Sequence, residues 1–345
     1  MPEGHVIHRL AQHLNREFTD TSPIVTSPQG RFDAQARTLD GQPYLESDAY
    51  GKHLFIEFDV SQPERIIYIH LGLIGSLHFE DPAETKGQIR LHMATDTIAA
   101  NLRGPQWCRL ITTEEKAVAV DKLGADPLRA DADPKPIKEK VNKSSRSIAS
   151  LLMDQSLFPG VGNIYRAETL FRLGIDPFSS GKDADFDAIW ADLVQLMAEG
   201  VKAGRIDTVR PEHTPEAMNR PPRVDDHGGE VYVYRRASQK CYICGTPISE
   251  QVMEGRNLFW CPTCQKVTSL RFLFCAWLRR VFGRRRACRI QQAAGRRWTG
   301  RRLPRSPRIL PLLLCDAVTF GAPPTNAQLF RKAGFRYLRT GHLCD

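Results

Sequence analysis

No long apolar run occurs in this chain. From Val6 to Leu14 the apolar residues are interrupted by His8, Arg9 and His13, which is not the pattern of a signal peptide. The longest late run, Ile309 to Cys315, contains Pro311 and falls far short of the roughly 20 residues that span a bilayer. A soluble, intracellular protein is expected, without a membrane partner. Disulfide spacing is also missing, because four of the nine cysteines fall into two Cys-x-x-Cys pairs. Acidic residues nearly vanish after Gln265. Residues 266–345 carry 18 Lys and Arg against Asp316 and Asp345, a net +16, which leaves residues 1–265 at −7 within the formal total of +9. If the body binds nucleic acid, it does so with a local basic patch and not with its net charge. At 345 residues the chain has room for two or more domains.

The most informative stretch is Met1-Pro2-Glu3-Gly4. Methionine aminopeptidase removes Met1 when the next residue is small, leaving Pro2 with a free secondary amine. Such an amine attacks the C1′ of a sugar and forms an iminium without a lysine. Terminal amines titrate near roughly 8, against roughly 10.4 for lysine, so more of the amine is unprotonated near neutrality. Glu3 places a carboxyl group beside it for proton transfer.

Val6, Ile7, Leu10, Ala11 and Leu14 recur at helical spacing, so a helix follows the terminus. Leu54–Val60, Ile66–Leu71, Gln88–Met93, Thr97–Leu102 and Cys108–Ile111 read as short strands of a β-sandwich, with Gly51-Lys52-His53 at the start of one. Ala125 to Asn142, with Pro127, Pro134 and Pro136 and no apolar period, reads as a hinge. Helical spacing then returns: Ser144-Ser145 capping Ile148, Leu151 and Leu152, then Ile164 to Phe171, then Phe186 to Met197. Between the first two lies Pro159-Gly160-Val161-Gly162-Asn163, whose bared N–H groups at a helix N-terminus suit a phosphate oxygen. Cys241-x2-Cys244-x16-Cys261-x2-Cys264 has the spacing of a closed tetrahedral zinc site on a hairpin. Arg256 lies inside that hairpin between Gly255 and Asn257, with Arg223, Arg235, Arg236 and Lys240 just ahead of the finger.

Four separated elements, Pro2-Glu3-Gly4, Gly51-Lys52, Phe158-Pro-Gly-Val-Gly-Asn-Ile-Tyr-Arg166 and the finger with Gly255-Arg256, resemble the formamidopyrimidine-DNA glycosylase/endonuclease VIII family in that order, over about residues 2–265. The resemblance implies a multidomain α+β protein. Residues 1–124 form a catalytic β-sandwich with flanking helices, 125–142 a linker, 143–225 a helix-two-turn-helix domain, and 226–267 a zinc-ribbon hairpin. Residues 268–345 remain as an irregular, Arg-rich tail. The implied activity is DNA N-glycosylase with abasic-site lyase, in a cytoplasmic, nucleoid-associated monomer acting on double-stranded DNA with a damaged base or abasic site. The target base is flipped out of the duplex, Pro2 forms a Schiff base, Glu3 moves the proton for sugar opening, and β,δ-elimination cuts the strand. Lys52 joins them as a catalytic-site residue. Lys52, Asn163 and Arg256 become phosphate contacts, His70 lies near the strand break, and Leu73 fills the vacated stack. One structural Zn2+ is implied on Cys241, Cys244, Cys261 and Cys264.

The sequence also departs from the family pattern. Val6 stands where a second glutamate is usual, and Arg103-Gly104-Pro105-Gln106-Trp107 replaces the Asp-Pro-Arg-Arg-Phe-Gly loop of the 8-oxoguanine branch. With Arg166 after Asn163-Ile-Tyr, this favours endonuclease VIII and oxidised pyrimidines. Trp107 reads as a buried strand-end residue, with an intercalating wedge as the other reading. Two rival functions are an 8-oxoguanine glycosylase and a non-catalytic zinc-ribbon DNA-binding protein. For the tail, translation of an altered reading frame is favoured over a basic arm that adds non-specific DNA affinity.

Overall fold

The computed structural model describes residues 2–83, 86–224 and 229–266, all within one compact unit. The tail reading falls outside these residues. Helix α1 (Gly4–Phe18) begins two residues after Pro2 and buries Ile7, Ala11, Leu14 and Phe18 along one face, as its spacing predicts.

Two antiparallel four-stranded sheets make the sandwich. One runs β1 (Ile24–Thr26), β6 (Ile89–Ala94), β7 (Ala99–Arg103), β5 (Ser76–Glu80); the other runs β2 (Tyr44–Tyr50), β3 (His53–Phe58), β4 (Ile66–His70), β8 (Trp107–Ile111). Leu54, Ile56, Ile67 and Ile69 of one sheet share a core with Leu91, Met93, Ala100 and Leu102 of the other. Helices α2 (Asp33–Leu39) and α3 (Thr113–Asp121) flank the sheets. In the second sheet the register aligns His53 with His70 and His70 with Trp107, setting three aromatic rings in a row.

The helical half starts earlier than its sequence suggests. Residues read as a hinge fold in part into α4 (Lys135–Lys143), because Ile137 and Val141, one turn apart, are both buried. Short helix α5 (Ile148–Leu151) is capped by Ser147, whose side chain accepts from Ser150 N at 3.2 Å, and not by Ser144 or Ser145. Helices α6 (Asn163–Arg172) and α7 (Phe186–Ala203) follow. Strands β9 (Ser249–Met253) and β10 (Arg256–Trp260) form the hairpin, whose Leu258 and Phe259 enter the same core as Ile164 and Leu170. Thus the hairpin is packed on α6. Among the described residues no helix is long and apolar enough to cross a membrane.

Candidate active site

The N-terminus is not frayed. Gly4 N donates to Gly160 O at 2.8 Å, and the Glu3 side chain turns inward until only 1% of the residue is exposed. There its carboxylate accepts from Gly162 N (3.0 Å), Ile164 N (2.8 Å) and, more weakly, Tyr165 N (3.4 Å). These are otherwise unpaired amides at the start of α6, where the helix dipole favours an anion. Gly162 makes the seat possible: a Cβ there would lie 2.3 Å from the Glu3 carboxyl carbon. Burial nevertheless raises the Glu3 pKa, and neither nearby Lys52 nor the three amides reverse it. The result is a carboxyl group that holds a proton more readily than one in water.

Lys52 sits in the turn between β2 and β3. Its Nζ donates to Val161 O at 2.8 Å. Burial pulls its pKa down to about 8, with Glu3 opposing and Arg256 reinforcing the shift. Asp126 fixes this turn and was not anticipated from sequence. Fully buried, it accepts from Gly51 N at 2.6 Å and Leu128 N at 2.9 Å, and its Oδ2 lies 2.8 Å from His8 Nε2. Gly51 has φ +59°, and a Cβ on it would meet Pro159 at 2.8 Å. Gly160 in turn lies against the backbone of Gly4 and Gly51, with the Met197 methyl beside it, so three distant segments converge closely there.

Lys52, His70 and Arg256 come together around one cavity of about 320 Å³, with Gln155, Arg166 and Glu254. His70 Nδ1 accepts from Gly72 N at 3.1 Å, which leaves Nε2 to carry the proton. Its pKa is lowered by burial and then by Lys52, so the ring is neutral at neutral pH. It stacks on half-buried Trp107 at 4.5 Å, so Trp107 is packed at the strand end. Leu73, three residues beyond His70, is exposed in the turn before β5, beside the still more exposed Ile74. Asn163 is placed differently. It lines a neighbouring cavity of about 500 Å³ with Tyr234, Arg235 and Arg256.

The cysteine Sγ atoms of 241, 244, 261 and 264 all lie within 4.8 Å of one another, with Cys241–Cys264 at 3.8 Å and Cys244–Cys261 at 3.4 Å. A tetrahedral zinc with bonds of about 2.3 Å sets its sulfurs about 3.8 Å apart. These four thiols are therefore positioned to bind a metal ion.

A β-sandwich joined to a helix-two-turn-helix domain and a four-cysteine ribbon is the architecture of a DNA glycosylase. Three family models match in sequence. The formamidopyrimidine-DNA glycosylase N-terminal domain covers residues 1–106, the H2TH domain 123–210, and the zinc finger found in FPG and IleRS 238–267. Endonuclease 8 1 of Mycobacterium tuberculosis is 44% identical over 277 residues, 77% of this chain and 100% of that relative. Formamidopyrimidine-DNA glycosylase of Prochlorococcus marinus is 28% identical over 287 residues, 77% of this chain and 99% of that relative. The fold is also that of Lactococcus lactis Fpg, solved in complex with DNA containing an abasic site, with a TM-score of 0.62 and 22% identity over 76% of this chain and 99% of that one. The chain belongs to the formamidopyrimidine-DNA glycosylase/endonuclease VIII family.

Proposed function

We propose that this protein is a bifunctional DNA glycosylase and abasic-site lyase that removes oxidised bases, pyrimidines foremost, from double-stranded DNA, through a Schiff base on Pro2. The observation that carries this reading is the seat of Glu3: a terminus bonded through Gly4 is plugged by a buried carboxylate that feels the charge of Lys52, which anchors the residue next to Pro2. Once Met1 is removed, the Pro2 nitrogen attacks C1′, the bond from C1′ to the base breaks, and the base leaves with that electron pair and a proton. Glu3, with its raised pKa, donates a proton to O4′ as the sugar ring opens to the iminium. Loss of a C2′ proton then expels the 3′ phosphate, and a second elimination expels the 5′ phosphate.

Lys52, His70 and Arg256 supply the cationic or N–H donors around the cavity that suit flanking phosphates. Leu73, exposed in the turn that follows His70, suits insertion into the stack. One structural Zn2+ on Cys241, Cys244, Cys261 and Cys264 holds the hairpin that carries Arg256. Two observations support the pyrimidine side. Identity is 44% to an endonuclease 8 against 28% to a formamidopyrimidine-DNA glycosylase, and only Gly104, Pro105 and Gln106 separate β7 from β8. The test is borohydride trapping on duplexes each carrying one lesion, followed by mass spectrometry of the adduct. Oxidised pyrimidines are expected to trap most efficiently, with the sugar remnant on residue 2. A preference for 8-oxoguanine would reassign the substrate, and absence of any trapping would leave a DNA-binding protein without this chemistry.

A further inference from the structure

Asn163 and Arg166, one turn apart on α6, do not share the same surroundings. The Asn163 amide is engaged at both ends: Nδ2 donates to Asn257 O at 2.9 Å, and Oδ1 accepts from Arg166. Asn163 faces the neighbouring cavity, whereas Arg166 lines the one over Lys52. Arg166 is fully buried. One terminal nitrogen is used on Asn163 Oδ1 and, at 3.3 Å, on Asn257 O. Nε and the other terminal nitrogen have no partner among the described residues. Unpaired N–H groups on a buried cation are strongly unfavourable, so a guanidinium kept this way beside a cavity points to an anion that completes it. The cavity suits such a ligand, because Lys52 and Arg256 line it too. Its one carboxylate, Glu254, already accepts from Ser150 Oγ.

We infer that Arg166 is the inner phosphate contact of this site. Its unspent N–H groups donate to a backbone phosphate of the lesion nucleotide in the cavity over Lys52. Asn163 holds the guanidinium and the hairpin turn at Asn257 in place. This assignment rests on the DNA-directed reading above, but not on the chemistry of Pro2.

The test measures binding of a duplex with a tetrahydrofuran abasic analogue, which has no aldehyde to trap, across a salt series. With zinc content intact, Arg166→Met is expected to weaken binding about tenfold and to lower the slope of log affinity against log salt by about 0.9, the value for one lost phosphate contact. Arg166→Lys, which keeps the charge, is expected to restore most of the slope. An unchanged slope in a zinc-loaded Arg166→Met protein would overturn the inference and leave Arg166 as a brace for the hairpin. If Arg166→Met loses its zinc, wild type and Arg166→Lys are compared on duplexes with one neutral methylphosphonate at each flanking phosphate. One position should penalise wild type more than the variant, and equal penalties everywhere would overturn the assignment. Borohydride trapping of wild type on an aldehydic abasic duplex separates the two proposals: binding without trapping sinks the Pro2 reading alone.

Discussion

Two buried glutamates are rooted on α6, and they do different work. Glu168 accepts from Tyr232 N, Val233 N and Tyr234 N at 2.7–2.9 Å and also from the Thr208 hydroxyl. Glu3 accepts from three amides of the helix start, one of them at 3.4 Å, and has Lys52 for a neighbour. The first carboxylate is saturated, and it staples the segment ahead of the zinc hairpin to the helix. The second is under-supplied with donors and raised in pKa, which suits moving a proton. Burial and amide recognition are common to both; what separates the two is incomplete satisfaction beside a second ionisable group.

The sharpest way to break this contrast is a pair of isosteric changes. Glu3→Gln is expected to lower base excision about a thousandfold, within the usual range for a general acid, while part of the cleavage of preformed abasic sites survives. Glu168→Gln should instead lose about 2–4 kcal/mol of stability, read by denaturant unfolding, and keep trapping while folded. Full excision by Glu3→Gln would remove that residue from the mechanism.

Next in size is metal removal at the Glu168 end. Cys244→Ser is expected to lose zinc, and with it about a hundredfold or more in DNA affinity, because Arg256 is carried by the hairpin. Metal analysis and binding on the same sample check this. Affinity retained without metal would show that the hairpin holds its place through Glu168 and the shared core alone.

Lys52 allows a smaller, pH-dependent test. Its pKa falls from 10.5 to about 8 on folding, so below pH 8 folding carries the full penalty of a buried cation. Between pH 8 and 10.5 the folded amine releases its proton first, and the penalty is relieved. Lys52→Met is therefore expected to gain about 2–3 kcal/mol at pH 7 and less at pH 9.5, even as activity falls. Melts at both pH values check the sign, and an equal gain at both would exclude titration as its cause.

The smallest effect is expected from the tail. Every residue given a role here lies at or before Cys264, so a chain ending at Val267 should bind zinc and trap at nearly the full single-turnover rate. If the +16 segment is a true arm, affinity at low salt falls and the salt dependence flattens. A hundredfold slower reaction at saturating enzyme would reveal a missed functional domain.

Much of the fold was legible because burial left a period. Ile7, Ala11 and Leu14 of α1 recur at helical spacing on the buried face, the central strands are short apolar runs bounded by turns, and the cysteines pair at metal-site spacing. Where burial leaves no period, sequence is silent. Helix α3 buries no residue, and its clearest local sign is the Thr112–Glu115 capping box. Three prolines masked the Ile137–Val141 pair of α4. Strands β1, β2 and β5 also escaped, and the middle of β2 is Glu-Ser-Asp. At the site, motif residues were legible as types, but not which cavity each one faces. Asp126 looked like one acid in a mixed-charge hinge, and Arg166 like a marker of family branch. Their importance comes from contacts with residues 75 and 91 positions away, which no local pattern encodes.

The meeting of Gly4, Gly51 and Gly160 has a consequence for how this site can change over time. A methyl group on Gly160 would press on Gly4 and Gly51 together, and so on the segments that carry Pro2 and Lys52. Spacing between the segments of Pro2 and Lys52 is thus gauged largely by backbone, with the Met197 methyl as the nearest side chain. A lineage can alter the walls of the cavity one residue at a time and so drift in substrate. A change at the centre instead touches three widely separated positions at once.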